Sequence, residues 1–320
     1  MTGLQLPYLA EMDWHQLWYM LSKPDNVPIV LLLFMCPFYV WMAFSQARKN
    51  DRLIAQLEAD PELAKTHHRT IFPYQKGWPK TVQVWPFLLK REFLATVIVT
   101  IILIVWSICL DAPLEDPANP NLTMNPSKAP WYFLGLQELL VYFDPWIAGV
   151  VLPSIILLGL MAIPYIDVNP RGNGYYTWKQ RKFAIGTFLF GFLGLWVSMV
   201  IIGTFIRGPG WLWFNPGQTW DHHRVDHQVN RDLHEFFGVD GALPEALFGL
   251  GFLIICAGVI GGVTHACMKK MLPEMLKRLS MLQYQVLMQL WILQVLVLVK
   301  IVLRLTFTVK NVWVTPWFNI

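Results

Sequence analysis

Apolar residues in this chain gather into six long runs, at about 27–45, 93–110, 147–165, 183–206, 244–267 and 283–308. Polar stretches rich in proline, glycine and charge separate them. Each run is close to the roughly 20 residues a helix needs to cross a 30 Å hydrocarbon layer. A helix satisfies its own backbone in lipid, whereas an open sheet edge does not, so all six runs are predicted helical. Pro37 and Pro153 fall inside runs and predict kinks. The first run follows Lys23 and Asp25 and has no small-residue cleavage site after it, so it reads as a retained span rather than a signal peptide. The pattern predicts an all-α integral membrane helical bundle of about six transmembrane helices.

One stretch between spans breaks the polar rule. Residues 127–146 read SKAPWYFLGLQELLVYFDPW, almost as apolar as the spans on either side. A connector has no need of such residues. Trp131 to Phe143 predicts a short helix lying at the membrane interface, with its aromatic rings at headgroup depth. Its role is either an interfacial anchor or the lid of a pocket for an amphipathic, membrane-dissolved substrate. Asp144 followed by Pro145 predicts an N-cap and first-turn proline for the next span.

Composition agrees with the runs: 55% of residues are hydrophobic, 14% are charged, and mean hydropathy is +0.42. Globular domains carry about a quarter charged residues, so a soluble core is excluded. Lys and Arg orient the spans. Nine lie in 46–92, four in 166–182 and four in 268–282, against six on the opposite side and two, Lys300 and Arg304, inside the last span. The positive-inside rule then places 46–92 in the cytoplasm and both termini outside. The four cysteines form no CxxC or CxxCH pattern, which excludes a disulfide framework, a thiolate zinc site and covalent c-type haem. Glycine loops for nucleotides, nucleophile elbows and zincin motifs are also absent.

The order of motifs in 75–207 resembles the C-terminal half of cytochrome b, or subunit IV of b6f-type complexes. A basic segment ending WPFLLKREF leads into a span, then DPANPNLTMNPSKAPWYF. A span opening DPWIAGVVLPSIILLGLMAIPYID follows, then NPRGNGYYTWKQRKFA and a third span. The resemblance implies three parts. Residues 1–74 are an outer interfacial segment, a first span and a cytoplasmic segment. Residues 75–207 are the cytochrome b-like domain with three spans, and 208–320 are an outer loop and two added spans. In the family, a Pro-Glu-Trp-Tyr loop lines one wall of the outer-side quinol-oxidation pocket. Here the corresponding residues are Ala129, Pro130, Trp131 and Tyr132, so the implied wall is Pro130, Trp131, Tyr132 and Phe133. The family glutamate, which takes a proton from quinol, is replaced by Pro130. Glu138 is the candidate substitute acceptor, six residues past Tyr132 and about 9 Å along a helix axis. The alternative is that Glu138 faces water, paired with Lys128.

The resemblance also implies partners. The family's b haems sit between histidine pairs inside spans. None of the eight histidines here lies mid-span. No cofactor is therefore expected on this chain alone, quinol or quinone being the substrate. The b haems would sit on a cytochrome b N-terminal-type subunit, and iron–sulfur or c haems on a Rieske protein or c-type cytochrome. The implied setting is a prokaryotic cytoplasmic membrane, in a respiratory or photosynthetic complex. A structural scaffold with a non-functional quinol site is the alternative.

Three features lie outside the resemblance. Lys300 and Arg304 share a face of the last span. They either snorkel to headgroups or meet an anion, such as a lipid or a partner's haem propionate. The outer loop 208–241 holds His222, His223, His227 and His234, but no zinc signature, and reads as a docking surface. In the fifth span, Ala257/Gly261 and Gly258/Gly262 are each four apart, which suits close helix packing.

Overall fold

In a computed structural model of the 320-residue chain, the described residues are 12–67, 84–111, 114, 117–168, 174–226 and 229–320. The protein is all-α, and six of its helices are long and apolar enough to span a membrane: Pro24–Ala59, Val84–Cys109, Ile147–Ile166, Trp178–Ile206, Ala242–Met271 and Met281–Phe307. It is a multi-pass membrane protein. In chain order the α-helices are α1 (Trp14–Ser22), α2 (Val27–Ala59), α3 (Pro61–Thr66), α4 (Leu89–Cys109), α5 (Leu134–Tyr142) and α6 (Leu152–Ile166). Then come α7 (Trp178–Leu189), α8 (Ser198–Ile201), α9 (Ala242–Met271), α10 (Pro273–Arg278) and α11 (Met281–Phe307). The sequence placed every span correctly, but the first helix runs fourteen residues beyond the apolar run that marks it, to Ala59. Beyond the lipid-length segment, Leu53, Ile54 and Leu57 stay half-buried on one face, as their spacing predicts.

The described chain divides into two compact units, which cut across the three-part division that the resemblance implies. One comprises residues 21–120 with 175–179. Here the end of α2 receives the segment that opens the fourth span. The Asn50 amide donates to the Tyr176 carbonyl at 2.9 Å, and the Asp51 carboxylate accepts from the Lys179 backbone N–H at 3.2 Å. Phe44 and Trp178 pack edge to face at 5.1 Å between centroids. The Asp51 bond satisfies one of the N–H groups that a helix start leaves without a partner. Nothing in the most apolar window of α4 is buried within the chain.

The other unit comprises residues 1–20, 121–174 and 180–320, of which 1–11 and 169–173 lie outside the described residues. The part of the expected N-terminal interfacial segment holding Tyr8 is therefore not described. Within α1, Trp14, Trp18 and Tyr19 are exposed and Met20 is buried. The Asp13 carboxylate caps α1 by accepting from the Gln16 N–H at 3.0 Å, which holds it below the usual carboxylate range. A central cluster joins Leu139, Tyr142, Phe143, Ile147, Ala148 and Met199 to Ile301 of α11. A second packs Val309 and Val312 with Leu233 against Phe248 and Phe252 of α9, and a third packs Met268 with Leu287 and Met288. The α11 start carries a capping box: the Gln283 N–H donates to the Ser280 hydroxyl, and the Ser280 N–H to the Gln283 side chain.

Of the two small-residue pairs in α9, one faces α11. A Cβ on Gly261 would lie 3.3 Å from Ile292, whereas Gly258 and Gly262 face open space. Pro153 follows a π-helical turn, Ile147–Val151, and the fourth span holds two more, Phe190–Val197 and Ile202–Ile206. A π turn absorbs one extra residue into a helix.

Candidate functional site

The apolar stretch 127–146 folds as expected from its pattern. Trp131–Phe133 forms a 3₁₀ turn that leads into α5, and the Asp144 carboxylate caps the next span by accepting from the Trp146 N–H at 3.0 Å. Gln137 pins the preceding segment to α5. Its carbonyl accepts from the Ala129 N–H at 2.8 Å and its amide donates to the Ser127 carbonyl at 2.9 Å. The Tyr132 and Phe133 rings are half exposed, at 51% and 50%, and tilt together at 4.7 Å between centroids. Pro130 caps this turn and carries no proton-accepting group.

Two glycines let α5 lie against the end of the fourth span. A Cβ on Gly135 would sit 3.2 Å from Val200, and one on Gly203 would sit 3.2 Å from the Leu134 carbonyl oxygen. Four residues beyond Leu134 comes Glu138, and four beyond Gly203 comes Arg207. The close approach therefore brings together two side chains that are 69 residues apart in sequence. The Glu138 carboxylate is fully buried, and Arg207 is 5% exposed. Arg207 Nη2 donates to Glu138 Oε1 at 2.9 Å, and Nε lies 3.1 Å from each carboxylate oxygen. The Tyr142 hydroxyl donates to Oε1 at 2.7 Å. Arg207 Nη1 donates to the Trp211 carbonyl at 3.2 Å, and the guanidinium lies over the Trp213 ring at 5.4 Å.

These contacts fix the charge states. Burial works against the Arg207 charge, but the hydrogen bonds and negative charge of Glu138 more than offset it and hold the guanidinium above the ordinary arginine range. Burial, then the adjacent Glu138 charge, pushes the Tyr142 phenol up, so it stays a neutral donor. The sequence offered Glu138 as a quinol-facing base or as a water-facing partner of Lys128. It faces neither water nor Lys128. Lys128 Nζ instead donates to the Thr204 carbonyl at 2.8 Å and lies 4.9 Å from the Trp220 ring centroid.

Beside this pair is an open cavity of about 430 Å³, lined by Asn125, Ser127, Gln137, Leu140, Val141 and Trp211 among others. Gln137 and Val141 flank Glu138 on α5, and Trp211 is the residue whose carbonyl Arg207 holds. The Trp211 indole N–H is buried without an acceptor among the described residues, a costly arrangement unless something fills the need.

The remaining expected sites fall elsewhere. Lys300 is buried and donates to the Lys310 carbonyl, and Arg304 donates to the Asn230 side chain and to the Thr308 carbonyl. Both thus tie the end of α11 to the chain that follows and to the loop before α9. In that loop His227 lies outside the described residues. Asp232, His234 and Glu235 bring ligand-type atoms within 4.8 Å of one another. Asp232 is already committed to the Asn311 N–H groups, at 3.1 and 2.9 Å. Arg207 and Tyr142 had no role in the sequence reading. A buried carboxylate needs a cation, but nothing in the sequence chose Arg207 over the other cations of its loops.

The chain is similar to the menaquinol:cytochrome c reductase cytochrome c subunit of Bacillus subtilis (strain 168), at 32% identity over 117 residues. No family model and no solved structure matches it. The match takes in 34% of this chain and 44% of that relative, so the chain spans less than half the relative's length.

Proposed function

We propose that this chain is a haem-free membrane subunit of a quinol-oxidising, cytochrome bc- or b6f-like electron-transfer complex in a prokaryotic cytoplasmic membrane. The observation that carries this reading is its similarity to a subunit of a menaquinol:cytochrome c reductase. The half-exposed Tyr132 and Phe133 rings support a wall for a flat, apolar head group. Pro130 and Trp131 complete that wall. Quinol oxidation releases two electrons and two protons. The electrons leave through b haems and iron–sulfur or c-haem centres on partner subunits, because this chain has no mid-span histidine and no CxxCH motif. In the closed arrangement Glu138 holds the shape of the site. It becomes a proton acceptor only when its pairing with Arg207 opens.

The test is to purify the complex through a tag on this chain. Quinol-dependent reduction of cytochrome c is expected from the complex, while the chain expressed alone should show no haem Soret band. A stoichiometric b haem on the isolated chain would overturn the assignment. A scaffold role is the second reading, favoured by the proline in the family glutamate's place and by the closure of Glu138. It predicts a complex whose quinol oxidation ignores substitution of Trp131 and Tyr132.

The orientation gives a separate prediction. Cysteines introduced at Gln56 and Gln218 should differ: in intact cells, an impermeant thiol reagent should label position 218 and spare 56. Labelling at 56 from outside would reverse the topology.

A further inference from the structure

Glu138 and Arg207 sit behind the cavity wall rather than in it. Glu138 belongs to the α5 turn that presents Gln137 and Val141 to the cavity, and Arg207 grips the carbonyl of Trp211 on the facing wall. One guanidinium thereby bridges the two sides: Nε and Nη2 to α5, Nη1 to the 208–211 turn. Gly208 leaves room for this turn, since a Cβ there would lie 2.5 Å from the Phe214 ring. No other side chain ties these two walls through a charge among the described residues, although the Asn125 side chain accepts from the Gly210 N–H at the cavity's far lip.

We propose that Arg207 is a positioning residue of the quinol site: through Glu138 and the Trp211 carbonyl it sets the spacing between α5 and the 208–211 turn, and so the aperture of the cavity between them. The ligand class is a quinol or quinone head group. Its ring matches the apolar Leu140 and Val141, and its oxygen matches the unpartnered Trp211 indole N–H. This assignment rests on the reading of the chain as part of a quinol-oxidising complex.

Loss of Arg207 has a signature that simple loosening lacks. Glu138 would remain buried without its countercharge, and its proton affinity would rise by desolvation. The other titratable groups facing it are few. Tyr142 lies on α5 itself, and Arg304 of α11 is close enough for its charge to be felt by both Arg207 and Tyr142. Lys300, behind Arg304, is balanced in part by Asp232. The packed segments 147–151 and 198–206 contribute no titratable side chain.

The experiment uses the assembled complex and a short-chain menaquinol analogue. Arg207→Lys, Arg207→Met and the double replacement Arg207→Met with Glu138→Met are compared with wild type for KM, kcat and pH profile. In Arg207→Met, KM should rise about tenfold or more, since misplacement by about 1 Å can cost 100-fold. Its pH profile should gain a limb displaced to alkaline pH. Arg207→Lys should recover part of the KM, and the double replacement should lose the added limb. A merely structural role would lower the yield of complex and leave KM and the pH profile unmoved. If Arg207→Met does not assemble, Arg207→Lys and the double replacement decide the matter through the same readouts. Wild-type KM and pH profile in the assembled variants would overturn the positioning role. A wild-type complex that fails to oxidise the quinol would instead overturn the function on which it rests.

Discussion

Truncating Glu138 to alanine should destabilise the protein by about 3–5 kcal/mol, the range for removing one partner of a buried ion pair. The cause is the charge left behind. Arg207 is 5% exposed and would keep its guanidinium with only the Trp211 carbonyl as acceptor. The Tyr142 hydroxyl would lose its acceptor too, at about 1–3 kcal/mol for a buried donor left unmade. Glutamine at 138 keeps an oxygen for both donors and removes the negative charge, so its effect should be smaller. Replacing Glu138 and Arg207 together by methionine should be milder than either truncation, because no unpaired charge remains. Thermal loss of the monodisperse complex in detergent orders the four proteins. An alanine variant as stable as the glutamine variant would mean that water reaches Arg207.

Valine at position 249 should be nearly as damaging, for a steric reason. A Cβ on Gly249 would lie 2.6 Å from the Val312 carbonyl oxygen, 2.7 Å from the Trp313 Cα and 2.9 Å from its ring. Two of these atoms are backbone and cannot swing aside. The tail is also held there by the Trp313 indole N–H donating to the Ala246 carbonyl at 3.0 Å. Overpacking a core by a few methylenes costs about 1–3 kcal/mol, and displacing backbone belongs at the top of that range or beyond. Gly258→Ala on the same helix is the control. A Cβ there meets nothing within 4 Å, and alanine gains up to about 1 kcal/mol in helix propensity. The contrast is measured by the temperature at which each variant loses its tail contacts, read from tryptophan fluorescence. Equal midpoints for Gly249→Val and Gly258→Ala would mean that the tail does not dock on α9.

The spans were legible because hydrophobic length is a property of continuous sequence. So was the short helix within 127–146, and so was the Asp144 cap, a contact over two residues. Legibility fell with sequence separation. The two small-residue pairs of α9 look alike in the chain, and only three-dimensional packing puts Gly261 against Ile292 and leaves Gly258 open. Glu138 stood out as an acid among apolar neighbours, but its environment is set by Arg207, 69 residues away. Lys128 was the nearest cation in sequence, yet it reaches a backbone carbonyl instead. Lys300 and Arg304 shared the predicted face, but their acceptors come from Asn230, Thr308 and Lys310, beyond the span itself.

The π turn Ile202–Ile206 bears on how such chains are compared and edited. The Arg207 N–H donates to the Ile202 carbonyl, five residues back, at 3.0 Å. An α-helix advances about 100° per residue, so one residue of surplus rotates everything after it by that amount. Arg207 meets Glu138 only because this surplus is present. A relative one residue shorter between Gly203 and Arg207 would present its arginine to a different neighbour, even with every letter otherwise matched. The angular phase at the end of this span therefore decides whether the ion pair exists, and a count of residues carries as much information there as their identity.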